Sequence, residues 1–335
     1  MLQLVPKNKI CKIKSNKTIK LQKYKKGKLK LYLYIINFIA DEECLCKMEM
    51  KYLFKKSPKV KHFFSYHYVD PSRSPFIKQC TSILYSGIST DDIISKIVDD
   101  NLFYEKYKVC YFQHDNETIG FREKRRIEYS IGFNILGEAK MDNPEVLLGV
   151  INLNGKWILG ESERNNSVWK SHIKKPYSYS NALSTRVSRA LVNIAVSNDL
   201  KCKVVDPCCG IGTVVIEALS MGIDIKGYEI NPLIAENSKI NLNFFGYDDN
   251  ITIGDMHYID DKFDVAIVDL PYGLFSKSTL TQQIDIIKTT RRIANNMIII
   301  TFEDMDQHIL SAGFHIVDKC NVFKGKFKRY ITICQ

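Results

Sequence analysis

Apolar positions recur along this chain in two periods, and the places where the period changes divide it into segments. Residues 31 to 39 form an apolar, β-branched run that predicts a strand. Over 41 to 54, Leu45, Met48 and Leu53 return at near-helical spacing, and strands are predicted again over 60–69 and 76–85. The next segment opens "GISTDDIISKIVDDNL", where Ser89 is placed as an N-cap and Ile93, Ile94 and Ile97 make a helical stripe. "YKVCYF" (107–112) reads as a strand, and "REKRRIEYSIGFNILGEA" as a helix with a basic first turn. "PEVLLGVINLNGKWILGE" alternates about Asn154-Gly155, a strong hairpin signal.

The polar stretch 163–181, "ERNNSVWKSHIKKPYSYSN", predicts a linker. Beyond it Leu183, Val187, Ala190, Leu191 and Ile194 line one helix face. Strands are predicted over 202–206, 224–229, 251–254, 264–269 and 296–302, with a closing pair over 314–320 and 327–333. Strand and helix alternation implies an α/β domain, a mostly parallel sheet with helices on both faces. The expected organisation is an arm over 1–30, an α+β segment over 31–86, a second over 87–162, a linker over 163–175 and the α/β domain over 176–335.

The formal net charge of +11 changes this picture only at the N-terminus. Residues 1–30 hold eleven lysines and no acid, so the rest of the chain carries 37 basic and 37 acidic residues. Such a run cannot build a core. It reads as a solvated tail or as an arm that grips phosphates without reading sequence. No apolar run reaches the ~20 residues of a membrane span, and no cleavage signal is present, so a cytoplasmic protein without membrane contact is expected. The ten cysteines include no Cys-x-x-Cys pair. Cys44-x-Cys46 and Cys208-Cys209 are poor geometries for a metal, which leaves reduced thiols and no metal site.

Candidate chemistry begins where Val204-Val205 run into Asp206-Pro207-Cys208-Cys209-Gly210-Ile211-Gly212-Thr213 and then a helix. A Gly-rich turn between strand and helix admits a ligand close to the backbone. Glu229, 23 residues after Asp206, closes the next strand and can accept from ribose hydroxyls; Asp255, ending the third, can accept from an adenine amine. This suits either a dinucleotide oxidoreductase or an S-adenosylmethionine enzyme. Val215 stands at the third glycine of the dinucleotide fingerprint, and Asp206 would repel a diphosphate while suiting cationic amino and sulfonium groups. The competing structural reading is of turn glycines, a capping Asp206 and a surface Glu229.

A second motif, "DVAIVDLPYG" at 264–273, sends a buried-looking strand into a carboxylate, a proline and an aromatic ring. The exocyclic amine of a nucleobase is a poor nucleophile because its lone pair is delocalised. Two acceptors holding its N–H groups localise that pair. Asp269 offers a carboxylate, Leu270 a carbonyl oriented by Pro271, and Tyr272 a face on which an extruded base stacks. The plain alternative is a turn with a buried tyrosine.

"DPCCGIGT", "GYEINPLIAENSKINLNFFG", "GD" and "DLPYG" resemble the Rossmann-like class I amino-methyltransferases of nucleic acids, and more narrowly the THUMP-domain tRNA guanine-N2 methyltransferases. "KKPYSYSNALSTRVSRALVNIAV", "EAKMDNPEVLLGVINLNGKWILGE" and "LYLYIINFIADEECLCKMEMKYLF" extend the likeness over nearly everything after residue 30. The resemblance implies a ferredoxin-like segment (31–86) and a THUMP RNA-binding domain (87–162) before a seven-stranded methyltransferase sheet. It implies S-adenosyl-L-methionine as cofactor, held by Asp206, Cys208, Gly210, Gly212, Thr213, Glu229 and Asp255. Asp269, Leu270, Pro271 and Tyr272 would meet the target base, and RNA, above all tRNA, would be the partner. Leu270 stands where the family carries a second proline, and "KKP" replaces its Arg-Pro. Alternatives are methylation of ribosomal RNA guanine N2, adenine N6 or a protein glutamine amide, a nucleotide-dependent oxidoreductase, and a non-catalytic RNA-binding module.

Overall fold

A computed structural model describes residues 29–114, 119–180, 182–271, 278–324 and 327–335, so nearly all of the lysine-rich arm lies outside the described residues. The N-terminal part comprises β1 (Tyr32–Ile36), α1 (Glu43–Phe54), β2 (His62–Ser65), β3 (Ile77–Gly87), α2 (Thr90–Asp99), β4 (Tyr107–Tyr111), α3 (Phe121–Phe133), β5 (Val146–Leu153) and β6 (Lys156–Arg164). These strands make one six-stranded sheet in the order β2-β1-β3-β6-β5-β4. The boundary expected at 86/87 therefore falls inside a continuous sheet, because β3 pairs with β1 on one side and β6 on the other.

Local chemistry explains most element ends. Ser89 caps α2 by accepting from the Asp92 N–H at 3.1 Å. Asn154 (φ 52°) and Gly155 (φ 89°) both take the left-handed conformation that a two-residue hairpin needs, joining β5 to β6. The helix expected from Arg122 onward stops at Phe133 rather than running through residue 139. There Leu136 exchanges backbone bonds with Leu102 and Tyr104, and Gly137 (φ 100°) lies so close to the Tyr104 carbonyl that a side chain would collide. Tertiary pairing overrides helical periodicity at that point.

The expected linker is packed: β6 runs on to Arg164, and a 3-10 turn over Val168–Lys174 buries Trp169 and His172. The C-terminal part follows with α4 (Thr185–Val196), β7 (Val204–Asp206), α5 (Thr213–Ser220), β8 (Ile225–Glu229), α6 (Pro232–Phe244), β9 (Ile251–Ile253), β10 (Phe263–Asp269), α7 (Leu280–Ile293), β11 (Ala294–Thr301), α8 (Asp306–Ser311), β12 (Ile316–Lys324) and β13 (Phe327–Cys334). Its seven strands are ordered β12-β13-β11-β10-β7-β8-β9. All but β13 run the same way, which is the doubly wound α/β sheet the alternation predicts.

The two sheets are joined by a shared core. One cluster of buried apolar side chains includes Tyr34, Leu45, Met50 and Leu53 from the first part and Leu191, Ile194, Ile225 and Ile331 from the second. Polar groups lock the same junction. Glu49 on α1, fully buried, accepts from Ser74 Oγ at 2.5 Å and from Asn193 Nδ2 at 2.6 Å. Arg189 on α4 donates to the carbonyls of Ser72 and Arg73, each at 2.9 Å, and pairs with buried Glu217 at 2.8 Å. The other Glu217 oxygen meets His172 Nδ1 of the 3-10 turn at 2.6 Å. Buried charges persist only where paired and hydrogen-bonded, and this network meets that condition.

Candidate active site

Strand β7 is the switch point of the second sheet, since the chain leaves it toward β8 on one side and returns to β10 on the other. In open α/β sheets the crevice beyond the carboxyl ends of strands at such a point is where ligands bind. Three acids stand there. Asp206 ends β7, Glu229 ends β8 and Asp269 ends β10, each of the last two reaching two residues past the level of Asp206 in the strand registers. Asp255 follows β9 and caps the turn Met256–Tyr258 by accepting from the His257 N–H at 2.9 Å.

The loop after β7 is shaped by its glycines in different ways. Gly210 (φ 55°) has open space where a Cβ would point, so it leaves the loop's face clear. Gly212 (φ 76°) faces inward, and a Cβ there would lie 2.4 Å from Ser238 Oγ of α6. Its absent side chain lets α6 approach the loop. The close packing between Val215 of α5 and β8 depends on Gly227, where a Cβ would come 2.9 Å from Val215 Cγ2. A glycine on the strand thus takes the place of a third glycine on the helix.

Glu229 braces this loop: its Oε2 accepts from the Gly210 N–H at 3.0 Å and its Oε1 from the Asn231 N–H at 2.9 Å. Each oxygen keeps a second lone pair for a ligand. Asp206 accepts from the Cys208 N–H at 3.3 Å, and Cys208 Sγ sits 3.8 Å from Met256 Sδ, which ties the first loop to the third. Thr213 Oγ1, at the first turn of α5, is buried without a hydrogen-bond partner.

Electrostatics set the character of the crevice. Burial, reinforced by Asp269 and Glu229, pushes the Asp206 carboxyl well above the usual carboxylate range, against the opposing pull of the Cys208 N–H. Among the described residues, the groups acting on Asp206 are two acids and one N–H, with no cationic side chain. A ligand bringing cationic groups fits that deficit, whereas a diphosphate would deepen it.

At the end of β10, Asp269 is half-buried and Leu270 turns its side chain into the core. The Leu270 N–H donates to the Ile300 carbonyl at 3.0 Å. The Pro271 carbonyl accepts from Gln283 Nε2 at 2.8 Å. Tyr272 lies outside the described residues. The structure thus brings Asp206, Glu229 and Asp269 to one crevice mouth, with Cys208, Gly210 and Asp255 around it.

Two further residues belong to the site although neither lies in the Gly-rich loop or at a strand end. Asn241 on α6 donates to the Ile211 carbonyl and to the Tyr177 carbonyl, both at 3.0 Å, and accepts from the Tyr177 N–H at 2.9 Å. It fastens the Gly-rich loop to the segment entering the domain. Gln283, one turn before buried Ile286 and Ile287 on α7, occupies a position where the helical stripe calls for an apolar residue. That mismatch was its signal.

Among the described residues, no helix is long and apolar enough to cross a membrane, and no group of three or more His, Cys, Asp or Glu side chains is placed to hold a metal ion.

Comparison with known proteins bears on the same region. Residues 173–298 match the family described as UPF0020, RMKL-like, methyltransferase domain. A tRNA (guanine(10)-N2)-dimethyltransferase of Methanothermobacter thermautotrophicus is 28% identical over 233 residues, covering 62% of this chain and 67% of that protein. One from Pyrococcus abyssi is 33% identical over 106 residues, 30% of this chain and 31% of that protein. One from Methanocaldococcus jannaschii is 26% identical over 222 residues, 55% and 62% of the two chains. Among solved structures, TrmN from Thermus thermophilus aligns over 91% of this chain and 99% of its own, with 13% identity and a TM-score of 0.47. The acidic crevice, its Gly-rich loop and the Asp269 strand end all lie inside the segment that matches the RMKL-like methyltransferase domain.

Proposed function

We propose that this chain is an S-adenosyl-L-methionine-dependent RNA methyltransferase acting on an exocyclic amine, guanine N2 of tRNA. The observation that carries the reading is the placement of Asp269, Leu270 and Pro271 at the end of β10, beside the strand that ends in Asp206. Support also comes from relatives that bear the name tRNA (guanine(10)-N2)-dimethyltransferase.

Asp206 and Glu229 are the acids that hold the cationic and ribose parts of the cofactor, with Asp255 near the base and the Gly210 face left open for close approach. When bound, the cofactor supplies an electrophilic methyl group. The protein's own part is to make the amine a nucleophile. The Asp269 carboxylate accepts one N–H of the target and the Leu270 carbonyl accepts the other, so the nitrogen lone pair is drawn out of the ring and aimed into the crevice. The N–H becomes acidic as the nitrogen gains a bond, and Asp269 is placed to take that proton. A stacking role for Tyr272 and RNA binding by the six-stranded N-terminal sheet and the lysine-rich arm complete the proposal, and a tRNA substrate puts the enzyme in the cytoplasm.

Titration of S-adenosylhomocysteine against NAD, followed by nucleoside mass spectrometry of tRNA incubated with the protein, tests it. Micromolar binding of S-adenosylhomocysteine and new N2-methylguanosine are expected. Tight binding of NAD alone overturns the reading.

A further inference from the structure

Leu270 must present its backbone carbonyl in one orientation if it is to accept an amine N–H, and the ring of a proline is the usual device for stiffening such a turn. Only Pro271 is available here. Residue 270 is held by other means: its N–H is bonded to the Ile300 carbonyl at 3.0 Å, a bond no proline could make, and its side chain is buried. Pro271 restricts Leu270 further to extended conformations. These two restraints fix the near side of the Leu270–Pro271 peptide. The Pro271 carbonyl belongs to the next peptide, and its direction, set by the remaining free torsion of the proline, decides how the chain leaves the proline ring.

That carbonyl is where Gln283 Nε2 donates, at 2.8 Å. Gln283 sits in the first turn of α7, a helix whose start is fixed by a capping box between Thr279 and Gln282. Its lower turns bury Ile286, Ile287, Thr290 and Ile293. An amide on this inward face, rather than an apolar residue, has one evident partner.

We propose that Gln283 is a positioning residue for the methyl-transfer reaction: by clamping the Pro271 carbonyl it anchors the proline from the side opposite Leu270, so that the Leu270 carbonyl that holds the target amine cannot shift with the chain beyond it. The inference rests on the reading of Asp269 and Leu270 as the amine acceptors. Gln283 touches neither substrate nor cofactor in this role. Its loss therefore acts on turnover and not on the affinity for either ligand.

The test compares the full chain with Gln283→Ala and Gln283→Glu on tRNA. Gln283→Ala is expected to lower kcat roughly tenfold to hundredfold, the scale of a misplaced reacting group. KM for tRNA, affinity for S-adenosylhomocysteine and melting temperature should stay close to the parent's. Gln283→Glu preserves the shape and supplies a signature. Ionised, its carboxylate faces the Pro271 carbonyl with no proton to donate; protonated, it restores the bond. The ratio of its kcat to the parent's should therefore rise as the pH is lowered from 8 toward 5 (roughly the range over which a carboxyl in such a place titrates). An active parent with unchanged kcat in Gln283→Ala, a flat Gln283→Glu ratio, or a loss of cofactor affinity and melting temperature equal to the loss of kcat overturns the positioning role alone. A parent chain that methylates no RNA overturns the functional reading and this inference with it.

Discussion

The carboxylate of Glu49 on α1 accepts a hydrogen bond from Asn193 Nδ2 on α4 at 2.6 Å, inside the junction that joins the two sheets. Burial pushes the Glu49 carboxyl up to about 7, although Ser74, Asn193, Arg73 and Arg189 all favour its charged form. Because the folded-state value is raised, the native protein keeps a proton that the unfolded chain gives up between the ordinary glutamate value and about 7. Stability is expected to fall as pH rises through that window and to level off above it, by ~3 kcal/mol at most for a shift of this size. Thermal melts from pH 4 to 8 should show the slope (on the order of the window the linkage defines). Gln at position 49 keeps the hydrogen bonds a neutral group can make, so Glu49→Gln should flatten the slope and melt higher than the parent above neutrality. An identical pH profile in the two proteins would show that Glu49 does not titrate there.

Asp269→Ala should abolish methyl transfer, with a loss of roughly a hundredfold or more in kcat. Affinity for S-adenosylhomocysteine should change little, since Asp269 meets the target amine in this reading. Isothermal titration alongside turnover measurements checks both halves. Near-normal turnover removes Asp269 from the chemistry.

Glu229→Ala removes both a ligand contact and the brace on the Gly210 N–H. Cofactor affinity is expected to weaken at least roughly tenfold, the effect of losing a charge-assisted hydrogen bond. RNA binding measured by filter retention should be unchanged. Intact S-adenosylhomocysteine affinity would mean that the carboxylate only supports the loop.

Removing residues 1–30 takes away eleven lysines. RNA affinity should drop mainly at low salt, and the slope of log affinity against log salt should become shallower. Equal affinities across a salt series would make the arm a bystander.

Much of this molecule was legible in its sequence. The doubly wound second sheet, the Asn154-Gly155 hairpin and the Ser89 cap are written in local patterns, whereas the pairing of β3 with β6 that makes the N-terminal strands one sheet is not. Asp206, Glu229 and Asp269 were legible because each ends a parallel strand, and strand ends of a doubly wound sheet converge. Gly212 could be located but not interpreted, since what fills its missing side-chain space, Ser238, is set by how α6 packs. The partners Glu49, Asn193, Arg189 and Glu217 sit far apart in the chain and carry no shared motif. Their residue types read as ordinary helix surface until tertiary packing brings them together. Helix α3 ends before its periodicity does for the same reason, because bridging of Leu136 to Leu102 and Tyr104 is invisible to periodicity.

Helix α4 buries residues around most of its circumference, because one side covers α1 and the other covers the second sheet. During synthesis, α1 can pack on β1 and β2 early, but the part of its surface that α4 covers stays bare until α4 has left the ribosome. Completion of the N-terminal half is thus delayed to the birth of the C-terminal half, and that interval is when the nascent chain is most exposed to chaperones and to misassembly.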